Sequence, residues 1–379
     1  MVSLVVFPFK TETPELVLAN IDTAAANPSV DEVWAIASEP GANELAVRSA
    51  KDAVANARGK TVEILIQERL GRFRPGKGDG MNTAIALAAE QGRERVHFYD
   101  ADITNFDTSW IDGAEKAADK GYGVVRHRFP RAATDAMITW MITRPALARL
   151  FPGTLLPRLN QPLGGEVLLT RPALEKLAGS QLVRERSDWG IDTVLTYATS
   201  VMGLGVYEHH VDDGKRHALY GSLAELRDML LECLDAAASL SDLPGPSPGA
   251  KHASDPPAPT PADLKETIAY DVEGTRALLS EEWSREELDL VQGLREEAGA
   301  ALFGPGETSA MDEELWHVAH GFLLENFVLG DPAWESVAFR LWLMRVLDYT
   351  NKHATRGFDE AMSYLESTIV HYEERARSI

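Results

Sequence analysis

Short apolar runs alternate with amphipathic segments along the chain as far as Val211. Runs of strand length occur at 2–9, 33–38, 61–67, 95–99, 122–126 and 205–211. Between them, as at 15–26 and 44–57, apolar residues recur with the period of a helix. Strands that alternate with helices in this way indicate βαβ units. We therefore predict an α/β fold with a mainly parallel sheet and helices on both of its faces.

A proline-rich segment at 241–262 ends this alternation. Proline has no amide hydrogen and a fixed φ, so the segment suits neither a helix nor a central strand and predicts a linker. From 263 to 379 only helical periodicity remains, enough for about four or five amphipathic helices. One apolar face there is carried by Phe339, Trp342 and Val346. We predict a first domain at 1–240 and an all-helical domain at 263–379 that serves packing or oligomerisation.

The charge balance argues against two classes of partner. The chain has 379 residues, of which 37 are Lys or Arg and 58 are Asp or Glu, and its formal net charge is -21. Such a field repels nucleic-acid phosphates and anionic membranes, so we predict neither as a partner. A ligand that carries phosphate would have to be held locally, by a divalent metal and a few well-placed cations.

Cysteine usage and hydropathy indicate the compartment. Cys233 is the single cysteine, which excludes an intrachain disulfide and favours a reducing compartment. The apolar run at the N-terminus lacks a basic flank and is too short for a signal peptide. No apolar run approaches the ~18 residues that a membrane span requires. We therefore expect a cytoplasmic protein without a membrane-spanning helix.

Two aspartates, one residue apart, follow the apolar run at 95–99. Asp100, Ala101 and Asp102 stand where this strand would leave the sheet, and ligands of open α/β sheets bind beyond the carboxyl ends of the strands. One carboxylate there can bind a divalent metal and the other a ligand or a metal-bound water. Carboxylate oxygens suit Mn²⁺ or Mg²⁺, and also Ca²⁺. Two loop aspartates are also common in solvated turns, so this motif gains weight from the strand before it and the motifs around it.

A basic glycine-rich turn at 72–82 precedes an alanine-rich helix predicted at 83–91. Its alternating glycines let backbone amides approach an anion, and Lys77 adds a positive charge. The turn is not a Walker loop, because Gly78 stands where Ser or Thr should follow the lysine. It is either a diphosphate site or a flexible surface turn, and its position one strand before Asp100 favours the diphosphate site. Polar residues also follow the first and third strands: Lys10, Glu12 and Gln67.

A second group of candidates lies on a helix predicted at 130–144. Arg131, Asp135 and Thr139 recur at i, i+4 and i+8, which places them on one helical face. They form either a surface ion pair or a clamp in which a guanidinium binds a carboxylate and the other two bind hydroxyls. His217, in the loop after the last predicted strand, is a candidate metal ligand, although a loop histidine is more often only solvated.

Two further pairs of residues suit a sugar. Gly164 and Gly165 form a turn into a strand, where a bulky ligand could lie against the backbone. Trp189 and Asp192 lie one turn apart near the start of a helix. An indole ring can stack on a sugar while a carboxylate binds its hydroxyls. Alternatively, Asp192 only complements the dipole of its helix.

Seven motifs together resemble the mannosylglycerate synthase family, whose members are retaining GDP-mannose-dependent glycosyltransferases of the GT-A type. They are Gln67-Glu-Arg-Leu-Gly, Arg74-Pro-Gly-Lys-Gly-Asp-Gly-Met-Asn-Thr, His97-Phe-Tyr-Asp-Ala-Asp-Ile-Thr, Phe129-Pro-Arg-Ala, Thr134-Asp-Ala-Met-Ile-Thr-Trp-Met-Ile-Thr-Arg, Gln161-Pro-Leu-Gly-Gly-Glu and Arg186-Ser-Asp-Trp-Gly-Ile-Asp-Thr. The resemblance covers most of residues 2–235 and extends more loosely over the helical tail. It implies a GT-A-type glycosyltransferase domain at 1–240.

The resemblance also implies a role for each motif residue. GDP-mannose would be bound by Pro8, Lys10, Glu12, Gln67, Lys77, Asp100, Ala101, Gly164, Trp189, Asp192 and Tyr220. The metal would be bound by Asp102 and His217. The catalytic set would be Lys77, Asp100, Asp102, Leu163 and Asp192. The acceptor, D-glycerate or a similar 2-hydroxy acid, would be bound by Arg131, Asp135 and Thr139. On or beside a closing loop would lie Tyr220 and Met229.

The implied reaction transfers mannose to the 2-hydroxyl of D-glycerate with retention and gives mannosylglycerate, a compatible solute. One alternative is a related transferase with another sugar donor or a phosphoglycerate acceptor. Basic residues near Arg131 would favour that acceptor, and three lie close in sequence: Arg126, His127 and Arg128. The other alternative is a non-catalytic nucleotide-sugar-binding module, which would not need a complete metal site. We also expect a homo-oligomer formed through the helical domain.

Overall fold

A computed structural model describes residues 3–217, 221–247, 249–257, 259–294 and 311–378. Within these ranges the strands are β1 Ser3–Phe9, β2 Val30–Ala37, β3 Thr61–Ile66, β4 Arg95–Phe98, β5 Val124–Arg128, β6 Val167–Thr170, β7 Val206–His210 and β8 His252–Ser254. They form an eight-stranded sheet in the order β3-β2-β1-β4-β6-β5-β7-β8. Strand β6 runs antiparallel to β4 and β5, and the other described pairs are parallel. The predicted α/β class with a mainly parallel sheet is confirmed.

Helices alternate with the strands along the first part of the chain and are the main elements described after Ser254. The described α-helices are α1 Pro14–Ala26, α2 Ala42–Arg58, α3 Lys77–Glu90, α4 Thr108–Asp119, α5 Arg144–Leu150, α6 Arg171–Ala178, α7 Gln181–Glu185, α8 Ile191–Val201, α9 Arg227–Ala238, α10 Ala262–Glu266, α11 Val272–Leu278, α12 Arg285–Leu290, α13 Glu313–Asn326, α14 Pro332–Lys352 and α15 Phe358–Ser378. Several of them start with a side-chain cap: Thr13, for example, accepts a hydrogen bond at the head of α1, and Asp107 accepts one at the head of α4. None of the helices in the described ranges has the length and apolar character that crossing a membrane requires.

The end of β4 fixes where the chain leaves the sheet. Phe98 pairs with Val6 of the central strand β1, and the next residue, Tyr99, still donates its amide to the Val6 carbonyl at 3.1 Å. Both aromatic side chains are buried, so the first side chain free to face a ligand is that of Asp100. Because β1 and β4 are parallel, the residues that follow Phe9 emerge at the same edge of the sheet as Asp100.

The chain forms two compact units. The first consists of Met1–Pro130, Leu159–Ala218 and Pro246–Pro259, and the second of Arg131–Arg158, Leu219–Gly245 and Thr260–Ile379. The first unit contains the sheet and the second is helical. In the second unit Trp342 and Val346 are fully buried and Phe339 is 9 % exposed, as the predicted apolar face requires. The units differ from the predicted boundaries, because 131–158 and 219–245 belong with the C-terminal helices.

Hydrogen bonds inside the second unit explain this assignment. The Trp316 indole donates to the Met141 carbonyl at 3.0 Å, and the Tyr349 hydroxyl donates to the Ala133 carbonyl at 2.8 Å. Buried indole and phenol groups need such partners, so α13 and α14 supply the aromatic residues that cover 131–158. Hydrogen bonds between residues so far apart in the sequence leave no local sequence pattern from which they could be predicted.

Part of the segment predicted as a linker belongs to the sheet. Strand β8 pairs in parallel with β7, and the residue after it, Asp255, accepts hydrogen bonds from the Tyr207 hydroxyl at 2.5 Å and pairs with His209 Nδ1 at 2.7 Å. Because an edge strand needs hydrogen bonds on only one side, it tolerates neighbouring prolines. The prediction of a linker was therefore wrong for this short stretch.

The helix predicted at 130–144 begins later than expected. Residues 131–136 form a turn, the helical conformation starts at 137, and Thr139–Thr143 is a π-helix that leads into α5. Asp135 Oδ1 accepts the amide of Ala136 at 2.6 Å, and Ala136 has a φ of 57°, which is uncommon for a residue with a side chain. A local side-chain bond thus replaces the helical hydrogen bonds, so Arg131 and Asp135 do not lie on a helical face.

Candidate active site

Five charged side chains from separate parts of the first unit meet beyond the end of β4. Asp100 follows β4, Lys77 is the first residue of α3, and Asp192 lies in the first turn of α8. Because β6 is antiparallel to β4, its first residue pairs with Phe98, so Glu166 emerges at the same edge as Asp100. Lys215 follows β7 and completes the group.

These side chains alternate in sign. Lys77 Nζ lies 2.9 Å from Asp100 Oδ1 and 3.1 Å from Asp192 Oδ2. Lys215 Nζ lies 2.5 Å from Asp100 Oδ2 and 2.6 Å from Glu166 Oε1. Each oxygen of Asp100 is therefore paired with one ammonium group. We call this set, in the order Glu166, Lys215, Asp100, Lys77 and Asp192, the charge chain.

Burial and opposite charges compete for the pKa values in the charge chain. Burial raises the pKa of Asp100, but Lys215 and Lys77 outweigh it and hold that pKa well below its ordinary value. Burial lowers the pKa of each lysine, but the carboxylates raise the net pKa of both above the ordinary value. Burial prevails for the outer carboxyls and raises the pKa of Glu166 and of Asp192. The centre of the chain is therefore ionised at neutral pH.

The absence of a side chain at Gly165 makes room for this pairing. A Cβ atom at this position would lie 2.3 Å from Lys77 Nζ and 2.8 Å from Asp100 Oδ1. The Lys77 and Asp100 side chains lie against this backbone, at the place where the sequence suggested that a bulky ligand could lie. Gly165 thus determines where the ammonium of Lys77 can sit.

The glycine-rich turn brings the start of α3 close to other segments. The helix begins at Lys77 rather than at 83, so Gly78 and Gly80 belong to its first turn. A Cβ on Gly78 would lie 2.4 Å from the Arg186 carbonyl oxygen, and one on Gly80 would lie 3.3 Å from Gln67 Oε1 and 3.4 Å from Pro8 Cβ. The turn therefore gathers Pro8 and Gln67 at the positive end of α3, where a helix attracts an anion.

Asp79 fixes this turn from inside. It is fully buried, its Oδ1 accepts the amides of Leu70 and Gly71 at 3.0 and 2.9 Å, and its Oδ2 pairs with Arg69 at 2.8 Å. A carboxylate with three donors is well satisfied. The flexible surface turn that the sequence left open does not match this arrangement.

Arg126 holds the turn that contains Leu163. Its guanidinium donates to the carbonyls of Pro162 and Gly164 at 3.2 and 2.9 Å, and the hydroxyl of Thr196 donates to the Pro162 carbonyl at 2.5 Å. Burial lowers the pKa of Arg126, and the nearby carboxylates only partly oppose this. Leu163 is half-buried between these anchored carbonyls, at the turn that leads to Glu166.

The residues predicted to bind a metal lie close together. His217 Nδ1 is 4.0 Å from Asp102 Oδ2, and Asp102 Oδ1 is buried with no hydrogen-bond partner among the described residues. Hydrogen bonds between 104–105 and 214–216 hold the two loops together: Thr104 and Asn105 donate to carbonyls, and the Arg216 amide donates to Asn105 Oδ1. A carboxylate and an imidazole suit Mn²⁺, and Mg²⁺ often takes one or two carboxylates plus phosphates and water. In the part of the chain that is described, no three potential ligands cluster, so this pair would need further ligands such as phosphate oxygens or water.

The other predicted donor residues surround the charge chain or follow β1. Lys77 Nζ lies 5.4 Å from the centre of the Trp189 ring, which is within cation–π range. The amide of Lys10 donates to Glu12 Oε2 at 2.6 Å, and the Glu12 carbonyl accepts from Asn43 at 3.1 Å. Ala101 is buried, and its carbonyl accepts from Asn20 at 3.1 Å.

The predicted acceptor residues belong to the second unit. Arg131 Nη1 lies 2.9 Å from Asp135 Oδ2, so the predicted pair exists although its helix does not. Thr139 is buried at the start of the π-helix. Met229, expected on or beside a closing loop, lies in the first turn of α9, which continues directly from a short 3₁₀-helix, Leu223–Leu226. Tyr220, the other predicted loop residue, lies outside the described residues.

Sequence reasoning missed Glu166 and Lys215. Glu166 is the last residue of the quoted motif Gln161-Pro-Leu-Gly-Gly-Glu, and Lys215 lies two residues before the candidate metal ligand His217. A signal for Glu166 was available, since a carboxylate at the start of an otherwise apolar strand is unusual. No comparable signal exists for Lys215, because a lysine in a polar loop is common.

Two family models match the chain. The model of the mannosylglycerate synthase GT domain matches residues 3–239, and that of the mannosylglycerate synthase C-terminal domain matches 264–369. The chain belongs to the mannosylglycerate synthase family. It is 46% identical to the mannosylglycerate synthase of Rhodothermus marinus, with 99% of this chain and 95% of that protein covered. It is 42% identical to that of Selaginella moellendorffii, with 97% of this chain and 88% of that protein covered.

Membership of this family makes the protein a glycosyltransferase, as the motifs predicted. Among solved structures, glucosyl-3-phosphoglycerate synthase from Mycobacterium tuberculosis in complex with phosphoglyceric acid is similar, with a TM-score of 0.50 and 21% identity over 64% of this chain and 81% of that chain. A complex of the same enzyme with Mn²⁺, UDP-glucose and phosphoglyceric acid also has a TM-score of 0.50, at 21% identity over 64% of this chain and 80% of that chain. At this identity the likeness establishes the fold, and the GT-A-type architecture is confirmed.

Proposed function

We propose that this protein transfers mannose from GDP-mannose to the 2-hydroxyl of D-glycerate with retention of configuration at the anomeric carbon. The observation that carries the proposal is the ammonium of Lys77, which lies at the positive end of α3 between Asp100 and Asp192. A lysine fixed at a helix N-terminus is suited to a diphosphate leaving group, whose charge grows as the sugar departs. The family membership of both parts of the chain supports the same reaction.

Asp102 and His217 would hold a divalent metal, Mn²⁺ or Mg²⁺, and Ca²⁺ is a third candidate. The buried Asp102 Oδ1 and the nearby imidazole fit such an ion. When bound, the metal would supply Lewis-acid stabilisation of the departing diphosphate. The remaining donor contacts are assigned to the nucleotide through Pro8, Lys10, Glu12, Gln67 and Ala101, and to the sugar through Leu163, Gly164, Trp189 and Asp192.

The acceptor hydroxyl would attack the anomeric carbon from the face that the diphosphate leaves. The bond between this carbon and the phosphate oxygen breaks, the bond to the glycerate oxygen forms, and the leaving phosphate takes the hydroxyl proton. Arg131 would bind the acceptor carboxylate through its guanidinium, with Asp135 and Thr139 for the hydroxyls, and so orient the attacking group. Tyr220 and Met229 are proposed to lie near the closed site.

The phosphoglycerate alternative loses two of the three basic residues that favoured it. Arg126 is buried and bound to two carbonyls, and burial lowers the pKa of His127 to about 3, so that this imidazole is neutral. Neither side chain can offer a positive charge to an acceptor phosphate. The non-catalytic alternative is disfavoured because the charge chain and the candidate metal pair are both assembled.

Product analysis tests the proposal directly. The full-length protein would be incubated with Mn²⁺ and each of GDP-mannose, GDP-glucose, UDP-glucose and UDP-mannose, together with D-glycerate, lactate or 3-phosphoglycerate. We expect the mass of mannosylglycerate from GDP-mannose and D-glycerate, and an α-linked product by NMR. Preferential transfer to 3-phosphoglycerate, or from a UDP-sugar, would replace the proposal by the related-transferase alternative.

The remaining predictions concern assembly and location. We propose that the protein forms a homo-oligomer through its helical region and acts in the cytoplasm, where the single, buried Cys233 would stay reduced. Light scattering should be done on the full chain, because a truncation near 245 would remove the partners of Ala133 and Met141 and expose the core of the second unit. A mass equal to that of one chain would contradict the oligomer. We also propose that the chain consists of two sequence domains, at 1–240 and 263–379.

A further inference from the structure

Two charged residues of the candidate site have no part in the reaction as proposed above. Lys215 and Glu166 form the outer end of the charge chain, and their side chains are 8 % and 0 % exposed. Buried ion pairs contribute little net stability, because the loss of hydration offsets the attraction between the charges. Stability is therefore a poor explanation for a buried lysine and a buried glutamate at this position.

The geometry suggests what they do instead. Lys215 is bonded to Asp100 Oδ2, whereas Lys77 is paired with Asp100 Oδ1. A carboxylate held at both oxygens cannot rotate, so its Oδ1 presents a fixed partner to Lys77. Glu166 in turn keeps the Lys215 ammonium in place, because its Oε1 lies 2.6 Å from Lys215 Nζ.

We infer that Glu166 and Lys215 are positioning residues for sugar transfer: they fix the Asp100 carboxylate and, through it, the ammonium of Lys77. The inference rests on the proposed function of Lys77 at the donor diphosphate. It deepens that proposal by adding a supporting pair that touches neither the sugar nor the acceptor. The pair also contributes to the charge of the site. The charge chain contains two lysines and three carboxyl groups, and loss of Lys215 would remove one of its two positive charges.

The first test is a comparison of Glu166→Gln, Lys215→Met and the double variant, each in the full-length protein. We expect kcat/KM for GDP-mannose to fall at least ~10-fold in each, because small displacements of a positioned group are costly in rate. The KM for D-glycerate should stay within about 2-fold of the wild type, since neither residue is proposed to touch the acceptor. Residues that act as a unit are non-additive, so the double variant should be no more than ~2-fold worse than Lys215→Met.

Matched controls separate positioning from general damage. Glu208→Gln removes another buried carboxylate of the same sheet, which is bonded to Asn160 and His252. Lys51→Met removes another half-buried lysine, which is paired with Glu63 at 3.3 Å. Both controls should match the wild type in kcat/KM to within ~2-fold, whatever they do to the unfolding midpoint. Lys215→Arg should recover part of the activity that Lys215→Met loses, because it keeps the charge.

The results divide cleanly. Kinetic losses that appear in Glu166→Gln and Lys215→Met but not in the controls, and that do not add, support the inference. The inference would be overturned if Glu166→Gln and Lys215→Met changed only the unfolding midpoint and kept the kcat/KM of the controls. It would also be overturned if the losses of the two single variants added fully in the double variant. If Lys215→Met does not fold, Glu166→Gln and its control Glu208→Gln decide: a kinetic loss in the first alone supports the inference, and equal kinetics in the two overturn it.

A binding measurement keeps this inference distinct from the proposed function. Calorimetric titration with GDP and Mn²⁺ should show at least ~5-fold weaker GDP binding in Glu166→Gln and in Lys215→Met, because Lys77 is displaced from the diphosphate. If the wild type transfers no mannose, the proposed function fails, while the GDP titration still reports on the positioning pair. Wild-type GDP affinity in both variants, together with wild-type turnover, would overturn the inference alone.

Discussion

The ammonium of Lys77 lies 3.1 Å from the carboxylate of Asp192, a residue 115 positions further along the chain. The first is at the start of α3 and the second in the first turn of α8, so two helix N-termini converge on one ion pair. Positive helix ends and an ammonium group together favour a bound anion, and Asp192 provides a carboxylate for sugar hydroxyls.

Gly165→Ala should reduce activity while leaving the fold intact. The added methyl group would collide with the ends of the Lys77 and Asp100 side chains, and its three nearest atoms all belong to side chains rather than to backbone. We expect the free energy of unfolding to change by less than ~1 kcal/mol. Donor kcat/KM should fall by roughly 10- to 100-fold, because Lys77 is displaced from its position. Steady-state kinetics and urea unfolding measure the two effects.

A matched control for this variant is Gly179→Ala. Gly179 ends α6 with a negative φ, and a Cβ there would make only ordinary contacts, at 3.6 Å or more. Its kinetics should equal those of the wild type. Unchanged donor kinetics in Gly165→Ala would mean that the position of Lys77 does not limit the reaction.

Metal binding should depend on Asp102 and His217. We expect His217→Ala and Asp102→Asn each to weaken Mn²⁺ binding, measured by calorimetry with GDP present. Turnover should fall at least ~100-fold at limiting metal, as expected when stabilisation of a leaving group is lost. His371→Ala, which changes a half-exposed histidine of α15, is the control. Full Mn²⁺ affinity in His217→Ala would remove this residue from the metal site.

Arg131 should determine acceptor recognition. Loss of a charge-assisted bidentate contact costs about 1.5–3 kcal/mol, so Arg131→Ala should lower acceptor kcat/KM by roughly 10- to 150-fold and leave donor KM unchanged. Arg131→Lys should recover only part of the lost acceptor kcat/KM, because an ammonium group lacks the planar fork of a guanidinium. Lactate and glycolate should compete with glycerate, whereas glycerol should not.

Another i,i+4 ion pair of the same unit provides the control for this test. Arg356 lies 3.1 Å from Glu360 on the surface, and Arg356→Ala should leave acceptor kinetics unchanged. If Arg131→Ala behaves like Arg356→Ala, or if glycerol is an efficient acceptor, Arg131 and Asp135 form only a structural ion pair.

Glu115 should make the protein less stable in acid. Burial raises its pKa, but His97, Ser3 and Arg95 outweigh burial, and the pKa falls from 4.5 to about 2. A carboxyl whose pKa is lower in the folded state stabilises the protein above its unfolded pKa. This stabilisation is lost as the pH falls from about 4.5 towards 2, and amounts to about 3 kcal/mol.

Urea unfolding of the wild type and Glu115→Gln at several pH values measures this contribution. The variant should be less stable than the wild type at pH 7, and the difference should shrink as the pH falls below 4.5. A difference that does not depend on pH would show that the ionisation of Glu115 is not coupled to folding.

The sequence alone determined the fold class and the family, and it supplied the candidate site residues that depend on local patterns. Apolar runs mark the strands because buried strands must be apolar, and Asp100 and Asp102 follow one such run directly. The glycines at the start of α3 and the apolar face at Trp342 are equally local signals. Each of these features depends on neighbours in the chain, so the pattern of residues is enough to predict it.

Only the tertiary structure decided which charges meet. Glu166 reaches Asp100 because β6 is antiparallel to β4, and an apolar run does not encode the direction of a strand. Lys215 arrives from a loop 115 residues after Asp100, and the burial of Arg126 depends on the carbonyls of 162–164. Ion pairs and hydrogen bonds between residues so far apart in the sequence depend on the order and direction of the strands in the sheet. The site therefore combines motifs that the sequence displays with partners that folding selects.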